Sequence, residues 1–560
     1  MTQSYDLIVV GGGPAGSTVA ALTKKYAPHL RVLLLEKARF PRHHVGESLL
    51  AGATPVLEEM GAAEAVRSYG FVEKLGASFI WGASREPWGF EFDGVISRLA
   101  GQGQTLPQTY TRAWQVRRGE YDHLLLKHAA AMGVEVREGA RVTGLRAARD
   151  GDTECVTGVE VRDDRGSWAA SCAWLMDCTG QDALIGRAQG LREYDERMNN
   201  YALWGYWKGA KWKHEYVGHP NLSRIFIATT PRGWIWYIPV LRDTVSVGLV
   251  THRQTLRDSA GPPEQLSFEE LRGCPEIAGL LDEARLVRIS PDQRRDVCAI
   301  QDWSYQSRRI AGAGWALCGD AAGFVDPILS SGVMLAHELG QKAAYTINSA
   351  FRAPSDEAAA RYWAFYEQTY RTYLRAYRDM ASFWYANNFS TESWWWQARR
   401  ALDRSASGFD LTDREAFVRL ASGYANRAES LSLFGSYPLH EAQQLVDGLF
   451  GAPADRATLE ARFASRPPRM RPRATIGDGM YYWQGLVRTT RRVSVGGDPQ
   501  RYLDLHPGEE VLVRMVDGRH TLADINRAAE SIRALEQRMP VRSGTELLVQ
   551  LEAIGALEPT

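Results

Sequence analysis

The sequence predicts an α/β protein built in successive parts, and three observations predict it. Near the N-terminus an apolar run, Leu7-Ile8-Val9-Val10, meets a glycine-rich turn, an Ala-rich helical stretch and a second apolar run ending at Glu36. Strand-rich stretches follow at about 71–115 and 199–300. From 355 the pattern turns helical and aromatic, and residues 476–560 form a further short unit of their own. The expected organisation is a Rossmann-like nucleotide-binding domain with a β-rich layer on its substrate side (1–354), an aromatic-rich helical region (355–475) and a small terminal domain (476–560).

The first element carries the most specific signal. Gly11, Gly13 and Gly16 stand in G-x-G-x-x-G spacing directly after an apolar strand and at the start of a helix. The first glycine permits the tight turn, the second lets backbone approach a pyrophosphate, and the third lets helix pack on strand. The helix N-terminus, with Ala15 in its first turn, presents free N–H groups and a positive dipole end to phosphate. Glu36, twenty residues past Gly16, is placed to accept from a ribose hydroxyl. This stretch reads as a dinucleotide site.

The whole chain sets the bounds. Its 560 residues exceed one comfortable core, and 45% apolar with 24% charged residues is ordinary globular composition. Lys+Arg and Asp+Glu both count 66, so nothing global favours nucleic acid or an anionic membrane. No apolar run approaches a membrane span, and no basic segment precedes the first strand, so neither a span nor a cleaved signal peptide is expected. Six scattered cysteines without C-x-x-C spacing read as buried thiols of a reducing cytoplasm. Twelve histidines form no ligand-spaced cluster with them, so no metal is expected. The 18 tryptophans suit either large packed cores or aromatic-lined cavities.

In chain order, the loop Phe40 to Ser48 follows the second strand and falls beside any nucleotide bound there. A strand is expected over Phe71–Gly82, with alternating aromatics after Pro87 at Trp88, Phe90 and Phe92. Gln115-Val116-Arg117-Arg118 precedes a helix over 120–132, and a strand closes on Asp177-Cys178-Thr179-Gly180. Residues 234–239 and 245–250 flank Leu241-Arg242-Asp243-Thr244, which reads as a hairpin. Residues 315–320 form another buried strand ending in an acid, and a loop, 321–332, feeds a long helix. Beyond it lie Phe383, Trp384, Tyr385, Phe389 and the run Trp394-Trp395-Trp396. The Pro/Arg-rich stretch 466–473 reads as a linker. The last unit is similar to a small winged-helix or PqqD-like fold, and packing, dimerisation and docking of a carrier protein are equally open for it.

Taken together, G-x-G-x-x-G with Glu36, Arg117, and Gly319-Asp320 before a glycine-bounded loop resemble the FAD fold of the aromatic-hydroxylase type. That resemblance implies FAD, with the Gly-Asp segment on its ribityl and pyrophosphate and the following loop facing the isoalloxazine. Three more features narrow the class: W-x-W-x-I-P at Trp234, Trp236, Ile238 and Pro239; F-x-x-P-x-x-S-x-G at Phe324, Pro327, Ser330 and Gly332; and Lys74 in F-x-x-K-x-G-x-x-F-x-W-G. Over roughly residues 1–400 the chain resembles the flavin-dependent halogenases of bacterial natural-product biosynthesis, the branch acting on phenols, pyrroles or carrier-tethered substrates.

The resemblance implies a set of roles. Gly11, Gly13, Ala15, Gly16, Glu36, Lys37, Arg42, Gly46, Glu47, Ser48, Arg117, Gly319, Asp320, Asp326, Pro327 and Gly332 are the candidate FAD-binding residues, FAD being used as FADH2 supplied by a separate NAD(P)H-dependent reductase. Backbone N–H groups at Ser331 and Gly332 would hold chloride or bromide, the co-substrate that becomes hypohalous acid. Lys74 is the candidate catalytic amine, its pKa lowered by burial; a surface lysine paired with Glu73 is the plain alternative. Trp234 and Trp236 separate flavin from substrate, and Phe324 and Pro327 shape the site. Glu47 and Glu392 are candidates for a further acid or base. Asp326 is either a polar wall or an ester attachment point for the flavin methyl. A flavin monooxygenase of the same fold, halogenation of an activated aliphatic acyl group, and a carrier-binding module on a redox-silent flavoprotein are the competing readings.

Overall fold

Leu7, Ile8 and Val9 are fully buried, as the centre of a parallel sheet covered on both faces requires. The computed structural model describes residues 3–81, 85, 87–92, 111–150, 153–213, 221–386, 421–423, 456–496, 502–506, 508–535 and 541–558. They fall into two units, one of the described residues up to 386 with Ala421–Gly423, the other of those from 456 onward.

In the first unit Gln3–Val10 lies between Val32–Glu36 and Gly166–Asp177, parallel to both. Glu135–Glu138 extends one side of this eight-stranded sheet, and Trp315–Leu317 extends the other. A hairpin of Arg141–Asp150 and Thr153–Asp163, unmarked by any motif, adds antiparallel to Gly166–Asp177. Parallel strands finish on one edge, so Gly11, Glu36, Cys178 and Cys318 emerge side by side there, where open α/β sheets take their ligands. The helix Pro14–Tyr26 packs on this sheet, and the helix Gly332–Ala350 packs against Pro14–Tyr26. They pack closely because Gly340 has no Cβ; one would stand 3.2 Å from the Ala15 carbonyl oxygen.

A ten-stranded sheet forms the second layer, running from Gly323–Phe324 through Cys298–Ser307, Arg192–Lys208, Thr244–His252, Gly233–Leu241, Leu222–Thr230 and Val72–Ile80 to Pro87–Glu91. The expected hairpin is present, with Leu241 opposite Thr244 at its turn. Its outer face buries Ile235, Tyr237, Val247 and Leu249 against Leu266, Leu271 and Ile277 of two short helices.

Two expected boundaries move. The helix Asp356–Ala386, expected to open a separate region, closes onto the first unit. Its Tyr366 hydroxyl donates to the Leu317 carbonyl and its Tyr370 hydroxyl to that of Gly319, so buried phenols tie it to the edge of the parallel sheet. The stretch 466–473 is not a free linker, because the second unit uses its backbone: Met470 N–H donates to Val516 O at 2.9 Å, and Arg471 N–H to Ala556 O at 2.8 Å.

That second unit consists of a hairpin, Ala474–Trp483 with Leu486–Val495, a third strand Tyr502–Leu505, and the helices Glu509–Arg514, Leu522–Leu535 and Gly544–Ala553 behind Arg456–Phe463. Leu512, Ile525, Leu547 and Leu551 are its fully buried centre. Ser543 and Glu546 form a reciprocal capping box at the last helix. Among the described residues no helix is long and apolar enough to cross a membrane, and no group of three or more His, Cys, Asp or Glu residues could hold a metal ion.

Candidate active site

The edge of the parallel sheet opens into a cleft of about 820 Å³ that reaches the tryptophan strand of the second sheet. The glycine turn builds one end. Gly11 has φ +106°, and a Cβ there would meet the Cys178 carbonyl oxygen at 2.3 Å; at Gly16 one would meet the Gly11 oxygen at 1.9 Å. At Gly13 the nearest neighbour would be an Arg42 guanidinium nitrogen at 3.6 Å, so its backbone stands open to the cleft. Glu36 is buried, its carboxylate accepting from Gly12 N–H at 2.7 Å and Ala38 N–H at 2.8 Å. It therefore fixes the turn while lining the cleft. Lys37, beside it, pairs with Asp182.

The loop 40–48 runs along the same cleft, with Arg42, Gly46, Glu47 and Ser48 on its lining. An arginine holds this loop, but it is not Arg117. Arg117 turns to Glu120 at 2.8 Å and lies off the cleft lining, whereas Arg118 is on it. Arg118 binds Asp122 through two nitrogens, at 2.8 and 3.0 Å, and donates to the Val45 carbonyl at 2.8 Å. Successive residues at a helix start point about 100° apart, so only one of two adjacent arginines can face the cleft. Burial pushes the Glu47 carboxyl up to about 7 against the opposing pull of Ser246, Tyr206 and Arg118.

On the opposite wall Gly319, Asp320, Phe324, Asp326, Pro327, Ser331 and Gly332 line the cleft. Asp326 accepts from Ile328 N–H at 2.9 Å and so caps the single turn Pro327–Leu329. Ser330 then adopts a left-handed conformation, φ +55°, which sets Ser331 as N-cap of the helix Gly332–Ala350. The first N–H groups of such a helix have no intrahelical acceptor. A Cβ on Gly332 would meet nothing within 4 Å, and the buried Ser331 hydroxyl has no hydrogen-bond partner among the described residues. Donors without acceptors facing open space suit an anion.

Trp234 and Trp236 form the wall toward the second sheet. The Trp236 indole donates to the Ser246 hydroxyl at 3.3 Å and lies across Gly248, where a Cβ would stand 2.3 Å from the ring. Trp234 belongs to an aromatic cluster: Trp81 is 6.4 Å away between centroids, and Trp384 stands 4.7 Å from Trp81 and 5.0 Å from Phe79.

Lys74 is buried at 1% exposure and is not paired with Glu73, which goes to Arg112 at 2.8 Å. Its ammonium donates to the Leu49 carbonyl at 2.9 Å and lies 5.5 Å over the Phe92 ring. Burial alone pushes its pKa down to about 7. It stands off the cleft lining but one residue from it, since Ser48 lines the cleft and Leu49 holds the amine. Glu392, Phe389 and Trp394 to Trp396 lie outside the described residues. Three residues carry no sequence motif and yet belong here: Arg118, and Asn200 and Tyr385, both of which donate to Asp326.

The tryptophan halogenase family model matches residues 6–103 and 96–413. The chain is 32% identical over 437 residues to the tryptophan 2-halogenase of Chondromyces crocatus, covering 77% of this chain and 78% of that one. It is 28% identical over 411 residues to the 1H-pyrrole-2-carbonyl-[peptidyl-carrier protein] chlorinase of Pseudomonas fluorescens, covering 72% and 88%. Among solved structures it is similar to the myxobacterial chondrochloren halogenase CndH, described as a variant of FAD-dependent halogenases. There the TM-score is 0.61 at 30% identity, covering 81% of this chain and 98% of that one.

Proposed function

The chain belongs to the tryptophan halogenase family of flavin-dependent halogenases, an FAD enzyme family, and from that premise we propose that it halogenates an electron-rich aromatic ring, a phenol or pyrrole offered free or on a carrier protein. It would use O2 and chloride or bromide and depend on a separate flavin reductase. The observation that carries this reading is Lys74, a buried amine held by a neutral carbonyl, with its pKa near 7.

The residues present fit FAD. Gly11 to Gly16 and the helix behind them would take the pyrophosphate, Glu36 the ribose, and Arg42 and the 319–320 segment the middle of the cofactor. Reduced FAD supplies the electrons with which O2 is activated. The protein's own part is to hold halide at the Ser331–Gly332 helix start, to separate flavin from substrate with Trp234 and Trp236, and to pass the halogen on. Neutral Lys74 attacks the halogen of hypohalous acid: an N–halogen bond forms, the O–halogen bond breaks, and the hydroxide takes a proton from the amine and leaves as water. The N–halogen bond then breaks as the ring carbon takes the halogen, and the ring proton returns to the nitrogen, restoring the amine. Glu47, protonated below about 7, is the proton donor on the cleft. Asp326 serves as a polar wall, because its oxygens are already engaged by three donors. The 456–560 unit is read as a winged-helix-like docking module for a carrier, a reading supported by the carrier-bound substrate named for the Pseudomonas relative.

The test is mass spectrometry of products from purified protein with FAD, a flavin reductase, NADH, O2 and halide, on free and carrier-tethered phenols and pyrroles. A halogen isotope pattern that requires halide and is absent in Lys74→Ala is expected. Oxygen insertion indifferent to halide and to that substitution would replace this reading with a monooxygenase of the same fold.

A further inference from the structure

Tyr385, the last residue but one of the helix Asp356–Ala386, is hydrogen-bonded to Trp234 and to Asp326. An indole N–H can only donate, so the Trp234 Nε1, at 2.9 Å, makes the Tyr385 hydroxyl an acceptor. The phenol's single proton then goes to Asp326, both of whose oxygens lie 3.0 Å from it. Asn200 donates to the same carboxylate at 3.2 Å. Trp234 and Asp326 both line the cleft, on two different elements, and Tyr385 joins them.

Each end of this chain of bonds sets something. Asp326 caps the turn Pro327–Leu329, which delivers Ser330 in its left-handed conformation and Ser331 to the helix start. Trp234 is part of the wall between cleft and aromatic cluster, and Trp384, the neighbour of Tyr385, is packed into that cluster. Tyr385 is itself partly buried, so its bonds are little diluted by solvent.

We propose that Tyr385 is a positioning residue that locks the tryptophan wall to the Asp326 turn, so that hypohalous acid formed on the flavin side passes to the substrate side instead of escaping to solvent. This rests on the halogenase reading above. Tyr385 acts through Trp234 and Asp326. Without its hydroxyl the indole loses its acceptor and the carboxylate one of its donors, and the wall and the turn are free to move apart.

The experiment measures a partition. Tyr385→Phe keeps the ring and its packing and removes only the oxygen. The FAD-loaded enzyme is run with reductase, NADH, bromide and catalase, and halogenated phenol is quantified against hypohalite captured in bulk by monochlorodimedone. The expected result is a shift of about fivefold or more from product toward trap, as the loss of the hydroxyl removes the hydrogen bonds to both Trp234 and Asp326. Trp234→Phe removes the other partner and is expected to shift the partition in the same direction, with the double variant no further displaced than the single ones. A wild-type partition in Tyr385→Phe, or additive effects in the double variant, overturns the proposal. If wild-type enzyme oxidises no halide in either channel, the halogenase reading itself falls and this inference falls with it.

Discussion

Lys74 and Glu47 are both buried ionisable groups, and burial moves them in opposite directions to the same range, about 7 for each. In the proposed mechanism the amine must be neutral to attack hypohalous acid and the carboxyl must be protonated to donate. Product formation is therefore expected to rise with pH through about 7 on the lysine limb and to fall at higher pH on the glutamate limb. Initial rates at saturating reduced FAD would show the bell. Glu47→Gln should remove the falling limb and leave the rising one; a glutamine variant that retains both limbs would take Glu47 out of the proton transfer. The burial of Lys74 was implied by the family resemblance of F-x-x-K-x-G-x-x-F-x-W-G and not by the residue itself, which reads equally as a surface lysine beside Glu73, and its acceptor was not legible at all. The carbonyl that holds it comes from Leu49, twenty-five residues away, and nothing local in either segment announces the meeting. Arg117 and Arg118 illustrate a finer limit. Two identical side chains sit at a helix start, and the choice between them is set by the helix phase against the sheet, which neither residue type encodes.

At the scale of elements, the glycines separate structural from chemical demand. A methyl at Gly16 would fall on backbone that cannot yield, so Gly16→Ala is expected to lose bound FAD and about 2 kcal/mol of stability. Gly332 opens onto free space, so Gly332→Ala should keep its melting behaviour to within about 0.5 kcal/mol and instead raise the halide KM several-fold. Thermal melts and halide titrations of the two variants check this. A Gly332→Ala enzyme with unchanged halide KM would argue against halide binding at that helix start. The glycine turn and the Trp234–Trp236 hairpin could be read from sequence because their signals are local: spacing in the first, and alternation around a polar turn in the second. Asn200 could not. It lies on the strand Arg192–Lys208, whose pairing with Cys298–Ser307 shifts register between Tyr194 and Asn199. A bulge of that kind breaks the alternation from which an inward-facing residue would be inferred. Tyr385 was visible only as one aromatic among many, since its partners stand 59 and 151 residues away in the chain.

For the whole molecule, the decisive fact is that every described residue lining the cleft belongs to the first unit, whereas the described residues from 456 onward surround a hydrophobic centre of their own. Deleting 456–560 is accordingly expected to leave FAD binding intact and halogenation of a free phenol within about twofold, while turnover of a carrier-tethered substrate drops sharply. Equal losses on both substrates would assign the segment to the stability of the first unit instead. The contact between Trp236 and Gly248 has a different consequence, for how this wall can change over generations. A ring lying where a side chain would be makes the two positions one unit of variation: glycine can be replaced only after the indole has been reduced, and an indole once reduced leaves a void that a new side chain at 248 can fill. Remodelling of the wall, natural or directed, must cross that pair in two coordinated steps.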